Sequence, residues 1–137
     1  MEHFIEAQQL SYAQALAELR AGRKQSHWIW YILPQLKGLG RSPMAHRYGL
    51  KNREEALAYA QHPVLGPRLV ECVQAILKHH DRSAADILGE TDAMKFRSCL
   101  TLFAEVAPQE PSFAQALSVF FDGQPDPETL RMLSTAR

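Results

Sequence analysis

The chain has the length and composition of a soluble, folded protein. At 137 residues, with 46% hydrophobic and 22% charged residues, it can bury a core of its own, and disordered or fibrous classes are excluded. Its net charge of zero argues against broad electrostatic attraction to DNA or to anionic lipid. We therefore expect one domain spanning residues 1–137.

No segment predicts a membrane span or a leader. The longest apolar run, Trp28–Leu33, is far shorter than the roughly 20 residues that a spanning helix needs. The acidic, histidine-containing start at Met1-Glu2-His3 does not resemble a signal peptide. We expect a cytoplasmic protein with no membrane partner.

Apolar residues recur at helical spacing along the whole chain. Ser11 is the predicted cap of the first helix and Gly22 its C-terminal stop. The second segment, capped by Ser26 and ended by Pro34, is predicted as a helix, although a buried strand also fits it. In chain order, the predicted helices cover about residues 12–21, 27–33, 43–48, 53–60, 69–79, 83–88, 91–106, 112–121 and 126–134. The sequence predicts an all-α fold, an irregular bundle of about seven to nine short helices.

The cysteines and histidines do not form a recognisable metal motif. Cys72 and Cys99 are isolated from each other and lie on apolar helical patterns, so we expect both to be reduced and buried. His79 and His80 are adjacent, so they point in different directions from one helix. The sequence predicts no metal site and no cofactor.

The neutral total charge conceals an uneven distribution. Residues 20–53 contain eight Lys and Arg and no Asp or Glu, so the remainder of this neutral chain carries −8. The same window holds four of the six Trp and Tyr residues. Cations and flat rings together suit a ligand that carries phosphate and a base; the alternative is that the cations pair with acidic residues elsewhere in the fold.

Residues 23–28 form the first candidate site. If Ser26 caps the helix that follows, free backbone amides, Lys24 and His27 lie near one another, which outlines an anion site. Trp28 and Trp30 are candidate stacking faces. The alternative is that His27 bonds to a backbone carbonyl and both indoles fill the core.

The loop at residues 38–42 and the segment at residues 92–98 are two further candidates. Arg41 and Ser42 follow a Gly-Leu-Gly turn and can donate to phosphate oxygens, although a tight loop leading into a helix explains them equally well. Lys95 and Ser98 share one helix face, and Arg97 adds a third polar group. A cation in the first turns of a helix opposes the dipole, so either an acid such as Asp92 or an anionic ligand must compensate for it.

The order of these residues resembles a known family. The matching segments are Lys24-x-x-His27-Trp28-Ile29-Trp30, Leu33-Pro34-Gln35-Leu36-Lys37-Gly38-Leu39-Gly40-x-Ser42, Ala45-x-x-Tyr48, His62-Pro63-Val64-Leu65-Gly66-x-Arg68-Leu69, Lys95-x-Arg97-Ser98-x-x-Thr101-Leu102-Phe103 and Phe120-Phe121-x-Gly123. The chain is similar to a bacterial family of small proteins of unknown function, often labelled "calpastatin". The resemblance implies a single all-α domain and assigns no chemical role to these residues. It does not imply calpain inhibition, which in calpastatin relies on disordered repeats.

Two functional hypotheses follow. In the first, a cleft binds a small anionic ligand, nucleotide-like or phosphosugar-like, through contacts that the three candidate sites supply. The predicted ligand-binding residues are Lys24, Trp28, Trp30, Arg41, Ser42, Lys95, Arg97 and Ser98. His27 is the candidate proton-transfer residue for a hydrolysis or transfer reaction, because imidazole titrates near neutrality. In the second hypothesis, the chain is a noncatalytic module that binds an acidic protein or RNA. A purely structural role for these residues is a third reading.

Overall fold

The computed structural model describes residues 1–135, and nine α-helices account for most of this range. They are α1 (Glu2–Ala21), α2 (Ile29–Ile32), α3 (Pro43–Tyr48), α4 (Arg53–Gln61), α5 (Leu65–Leu77), α6 (Ala84–Leu88), α7 (Glu90–Val106), α8 (Pro111–Phe121) and α9 (Pro127–Thr135). Within the described residues, extended pairing is confined to one isolated parallel bridge between Leu36 and Leu50. The predicted all-α bundle is confirmed.

A line of aromatic rings runs through the core. The ring of Phe4 in α1 lies 5.0 Å from that of Tyr59 in α4, and Tyr59 lies 5.6 Å from Phe103 in α7. Phe103 is also 5.6 Å from Phe113 in α8. All four side chains are buried. This line joins helices that are distant in sequence and places α7 at the centre of the molecule.

Side-chain caps set several helix ends where the sequence predicts them. Gly22 ends α1 in the left-handed conformation, which glycine adopts without steric cost. Ser42 and Asn52 accept hydrogen bonds from backbone amides at the starts of α3 and α4. Ser83 caps α6 in the same way. These caps act over three residues, so the local sequence determines them.

Three predicted helix boundaries are wrong. α1 begins at Glu2 rather than near residue 12, and α2 covers only Ile29–Ile32 rather than residues 27–33. α5 begins at Leu65, before Pro67, rather than near residue 69. A proline in the first turn is tolerated, because the amide that it lacks has no partner within the helix at that position.

Both cysteines are buried and unpaired, as the sequence predicts. Burial raises the pKa of the Cys72 thiol to about 12, and it also raises the pKa of Cys99. The two thiols therefore act as small apolar groups in the core. None of the helices in residues 1–135 combines the length and the apolar character needed to cross a membrane.

Candidate functional site

The first candidate site, residues 23–28, surrounds a carboxylate of the chain itself. Glu18, in the last turns of α1, accepts hydrogen bonds from the backbone amides of Gln25 and Ser26 at 2.8 and 3.0 Å. The Ser26 hydroxyl donates to it at 2.6 Å, and the indole nitrogen of Trp28 donates at 2.9 Å. The anion that these donors bind is Glu18, a residue of the chain itself.

The four donors change the acidity of this buried carboxyl group. Burial alone would raise the pKa of Glu18, but the hydrogen bonds from Ser26, Gln25 and Trp28 favour the charged form and lower the pKa to about 2. Glu18 is therefore a carboxylate throughout the physiological pH range. It ties the loop after α1 to the helix that precedes the loop.

Glu18 accounts for the difference between the predicted and observed roles of this segment. Ser26 does not cap α2, which begins two residues after His27, because its hydroxyl and amide are both directed to Glu18. Trp28 is 1% exposed, so it presents no face on which a ligand could stack. His27 is exposed.

A shared carboxylate brings Lys24 and Lys95 together. Asp92, in the first turn of α7, lies 2.8 Å from the Lys24 ammonium and 3.6 Å from the Lys95 ammonium. Lys24 is 7% exposed and also donates to the Ser26 carbonyl at 2.6 Å. Lys95 is 23% exposed. Two ammonium groups thus share one carboxylate, which leaves a local charge of +1, and Lys95 is the more distant and more accessible cation.

Lys95 contributes to the wall of a hollow between α7, α9 and the loop that precedes α3. This hollow, which we call the Lys95 hollow, has a volume of about 380 Å³. Its lining residues are Gln35, Leu39, Gly40, Thr91, Met94, Lys95, Ser98, Asp126 and Glu128. A much smaller cavity adjoins it, since Gln35 and Lys95 line both, and Trp30, Tyr48 and Gly49 line the smaller one. The site therefore combines segments from residues 30–49, 91–98 and 126–128.

Trp30 presents an unused hydrogen-bond donor at this site. The indole nitrogen of Trp30 is buried and has no partner among the described residues, although most buried donors in proteins are paired. The Lys95 ammonium lies 5.7 Å from the centre of the Trp30 ring. Trp30 was expected to supply a stacking face; its unpartnered N–H makes it a donor as well.

The acidic side chains of the hollow are engaged within the fold. One oxygen of Asp126 accepts hydrogen bonds from the backbone and hydroxyl of Thr129 at 2.9 and 2.5 Å, which caps α9. The same oxygen lies 3.4 Å from the Ser98 hydroxyl. Glu128 pairs with Arg131 on the exposed side of α9. Among the charged residues of the lining, Lys95 is thus the one that shares its ion-pair partner, Asp92, with a second cation, Lys24.

Three of the predicted ligand contacts lie elsewhere or serve the fold. The Arg97 guanidinium donates to the carbonyls of Gln124 and Pro125 at 2.9 and 2.8 Å, so it anchors the loop before α9. Ser42 accepts from the amide of Ala45 at 3.1 Å as the cap of α3. Arg41 is exposed and is not among the residues that line the Lys95 hollow.

The glycine loop is explained by packing. A β-carbon at Gly40 would lie 2.6 Å from that of Ala45 and 3.2 Å from the amide nitrogen of Gln35, distances that a side chain cannot occupy. Gly38 has a φ of 104°, which favours glycine. These glycines therefore allow segments of the chain itself to pack closely. The alternative interpretation, a tight loop leading into a helix, explains them.

The sequence prediction missed Gln35 and Asp126. Gln35 lies within the segment that carries the family resemblance, directly after Leu33-Pro34, and its polar side chain beside a buried loop was a usable signal. Asp126 was predicted only as the first residue of the last helix. Its place in the hollow depends on how α9 docks on α7, which no local pattern reveals.

A larger hollow of about 660 Å³ lies between α5 and the start of α8, away from the predicted residues. Its charged side chains already have partners: Arg68 lies 4.8 Å from the ring of Tyr12, Glu71 binds the Tyr12 hydroxyl and pairs with Arg20, and Glu110 caps α8. Across residues 1–135, no three His, Cys, Asp or Glu side chains are grouped to hold a metal ion. The Lys95 hollow is the better candidate, because the predicted residues Lys95 and Ser98 line it and none of the predicted residues lines the larger hollow.

Comparison with known proteins gives two matches. Residues 1–133 match a family model described as "Protein of unknown function (DUF1810)". The fold is similar to the crystal structure of the conserved hypothetical protein Rv1873 from Mycobacterium tuberculosis, with a TM-score of 0.96 and 42% sequence identity over 98% of this chain and 96% of that chain. No curated protein matches the sequence.

Proposed function

The chain belongs to the family of proteins of unknown function DUF1810, and from the geometry of its Lys95 hollow we propose that it binds a small anionic ligand there, nucleotide-like or phosphosugar-like. The observation that carries the proposal is the shared carboxylate. Asp92 lies 2.8 Å from Lys24 and 3.6 Å from Lys95, so one negative charge compensates two positive ones. A phosphate group beside Lys95 would supply the missing negative charge.

The neighbouring polar groups suit a small anionic ligand. Ser98 lies one turn after Lys95 on α7 and lines the hollow, but its hydroxyl donates to the Met94 carbonyl at 3.2 Å, so it can only accept a hydrogen bond from a ligand hydroxyl. Gln35 and Trp30 line the adjoining cavity, and the indole N–H of Trp30 has no partner among the described residues. A ligand oxygen there would satisfy a buried donor that the fold leaves unpaired.

The size of the hollow suits a ligand of this class. A volume of about 380 Å³ falls in the range of small-molecule sites, which begins near 300 Å³. Leu39 and Met94 provide apolar surface for a sugar or a base, while Lys95 provides the charge. Because both cysteines are buried and unpaired, a reducing compartment such as the cytoplasm is the expected location.

The proposal concerns binding. Lys24 contributes indirectly, because its ion pair positions Asp92. Trp28 and Arg97 position the loops that border the site. His27 is exposed and is not part of the lining, so the proposal gives it no role. Proton transfer by His27 stays a prediction from the sequence.

Thermal unfolding with AMP, ribose 5-phosphate, ADP-ribose or inorganic phosphate tests the proposal. A ligand at about a hundredfold excess over its Kd stabilises the folded state by about 2.7 kcal/mol, which raises Tm by on the order of 10 °C at this chain length. We expect at least one of the organic phosphates to raise Tm.

The variant Lys95→Gln should lose this shift, measured against its own ligand-free Tm. The matched control is Lys78→Gln, since Lys78 is an exposed lysine at the end of α5, outside the hollow. The control should keep the full shift. A shift of equal size in Lys95→Gln, or no shift with any of the four ligands, would refute the proposal.

A further inference from the structure

A group of exposed cations lies next to the Lys95 hollow. They belong to residues 37–53, the segment that includes α3. We call its positively charged or titratable side chains the basic surface: Lys37, Arg41, His46, Arg47, Lys51 and Arg53. All are exposed except Lys37, which is half-buried. The segment contains no acidic residue, because the acids stop at Glu18 and resume at Glu54.

The fold brings these residues together. The backbone amide of Lys37 donates to the Leu50 carbonyl at 2.7 Å, and the amide of Leu50 donates to the Gln35 carbonyl at 3.0 Å. The two ends of the segment therefore run side by side, with α3 between them. A β-carbon at Gly49 would lie 2.5 Å from the α-carbon of Lys37, so the glycine permits this close approach.

The positive charge of this segment contributes to a lowered pKa of His3. Its ring stacks on Tyr48 at 5.6 Å. Burial, the N-terminal ammonium, Arg47 and Lys37 lower the pKa of His3, and Glu55 opposes them. Lys37, at one end of the segment, and Arg47, in α3, thus act on a single imidazole.

The cations of the basic surface are not neutralised. Within residues 1–135, all the ion pairs involve Lys24, Lys95, Arg20 or Arg131, and none involves a member of the basic surface. Two acids follow the segment, Glu54 and Glu55, and one oxygen of Glu55 accepts the backbone amide of Lys51 at 3.1 Å. Unlike the paired cations, the members of the basic surface have no carboxylate partner among the described residues. Several positive groups are therefore available to an external polyanion.

The basic surface is continuous with the Lys95 hollow. Lys37 and Arg41 flank Leu39 and Gly40, which line the hollow. On α3, Tyr48 lines the smaller cavity, while the neighbouring residues His46 and Arg47 are exposed. A chain of phosphates bound along the basic surface would therefore pass the mouth of the hollow.

We propose that the basic surface binds the backbone of a single-stranded nucleic acid and that one nucleotide of the strand enters the Lys95 hollow. This inference rests on the proposed function, because the nucleotide-like ligand becomes part of a polymer. A group of cations without ion-pair partners is suited to the phosphates of a strand, and a hollow for one nucleotide requires a base that is free of a duplex. An acidic polypeptide would use the cations but would leave the hollow empty.

Fluorescence anisotropy with a labelled oligouridylate tests the inference, with an oligothymidylate of equal length, an RNA duplex and polyglutamate as further probes. We expect the single strands to bind more tightly than the duplex and polyglutamate, with an affinity that falls as salt increases. Comparison of the two single strands distinguishes RNA from DNA. Lys51→Gln should weaken binding about threefold to tenfold and lower the salt slope by about 1. Lys78→Gln is the matched control and should do neither.

AMP separates this inference from the proposed function. Lys51→Gln should bind AMP like the unaltered protein, whereas Lys95→Gln should lose both AMP and part of its oligouridylate affinity. If AMP binds through Lys95 but Lys51→Gln leaves oligouridylate binding unchanged, the inference fails and the proposed function stands. Equal binding of polyglutamate or duplex, or oligouridylate binding that is indifferent to Lys95, also refutes the inference. If oligouridylate does not bind, the inference fails; the proposed function fails with it only if AMP, ribose 5-phosphate, ADP-ribose and inorganic phosphate also fail to bind.

Discussion

Glu18 shows how one carboxylate determines the local structure around a predicted site. Four donors from residues 25–28 converge on it, so a loop of cationic and aromatic residues is held by an anion that the chain supplies itself. Because the pKa of Glu18 lies near 2, its hydrogen bonds contribute to stability at neutral pH.

We predict that Glu18→Gln destabilises the protein in a pH-dependent way. The pKa of Glu18 falls from 4.5 to about 2 on folding, so its contribution is complete above about pH 4.5 and is lost as the pH falls toward 2. The contribution amounts to up to about 3 kcal/mol. Urea unfolding of both proteins over this range should show a difference that is large at neutral pH and small in acid.

Glu6→Gln is the control for this prediction, because Glu6 is an exposed glutamate of the same helix. Its unfolding free energy should follow that of the unaltered protein at every pH. A constant difference between Glu18→Gln and the unaltered protein from neutral to acid pH would contradict the assigned role of the Glu18 charge.

Local spacing predicted part of the candidate site. Lys95 and Ser98 share a face of α7 and both line the hollow, and Asp92 pairs with Lys95 one turn away, as their spacing suggests. The Glu18 contacts could not be predicted in this way. The chain has fifteen acidic residues, and the local pattern does not show which of them a loop will fold back to meet.

At the scale of the helices, Ser11 and Ser26 do not cap the helices that they were predicted to begin, and buried polar residues were misleading. Gln8 is buried and donates to the Tyr31 carbonyl at 2.7 Å and to the Tyr59 hydroxyl at 3.0 Å, whereas Leu10 is 91% exposed. The first half of α1 therefore lacks a clean apolar stripe, and the prediction placed its start too late. Tertiary hydrogen bonds had overridden the hydrophobic pattern.

α4 and α5 meet at a glycine that packing requires. A β-carbon at Gly66, in the first turn of α5, would overlap the carbonyl oxygen of Ala60. The φ of Gly66 is not in the left-handed region, so backbone strain is not the reason for glycine here. The constraint is the distance between the two backbones.

We predict that Gly66→Ala destabilises the protein by about 1–3 kcal/mol, the range for overpacking. Helix propensity alone predicts the opposite sign, since alanine is favoured over glycine by about 1 kcal/mol in a helix interior. Denaturant unfolding measures the change. Ala58→Gly on the exposed face of α4 is the comparison, and it should cost no more than about 1 kcal/mol. An increase in stability in Gly66→Ala would show that the helices separate without cost.

At the scale of the molecule, the Lys24–Asp92–Lys95 group joins distant parts of the chain. It links the loop after α1 to the start of α7, at the edge of the hollow that α9 and the loop before α3 complete. The uneven charge distribution of the sequence is thus only partly neutralised in the fold. Lys24 and Lys95 share the carboxylate of Asp92, whereas the basic surface has no carboxylate partner among the described residues.

We predict that Asp92→Asn lowers stability and strengthens anion binding. The substitution leaves the buried Lys24 without a counter-charge, which costs about 2–4 kcal/mol, and it raises the charge beside the hollow from +1 to +2. Inorganic phosphate or AMP should therefore raise the Tm of Asp92→Asn more than that of the unaltered protein.

Glu128→Gln is the matched control for the loss of one carboxylate. Glu128 also lines the hollow, but its pair with Arg131 is exposed, so its loss should leave the unfolding free energy nearly unchanged. Glu128→Gln should also leave the phosphate-dependent shift near that of the unaltered protein, because its charge is screened by water. The contrary outcome is that Asp92→Asn is destabilised without a larger phosphate-dependent rise in Tm than Glu128→Gln shows. That result would mean that the Lys24–Asp92–Lys95 group only links α1 to α7 and that its positive charge does not contribute to anion binding in the hollow.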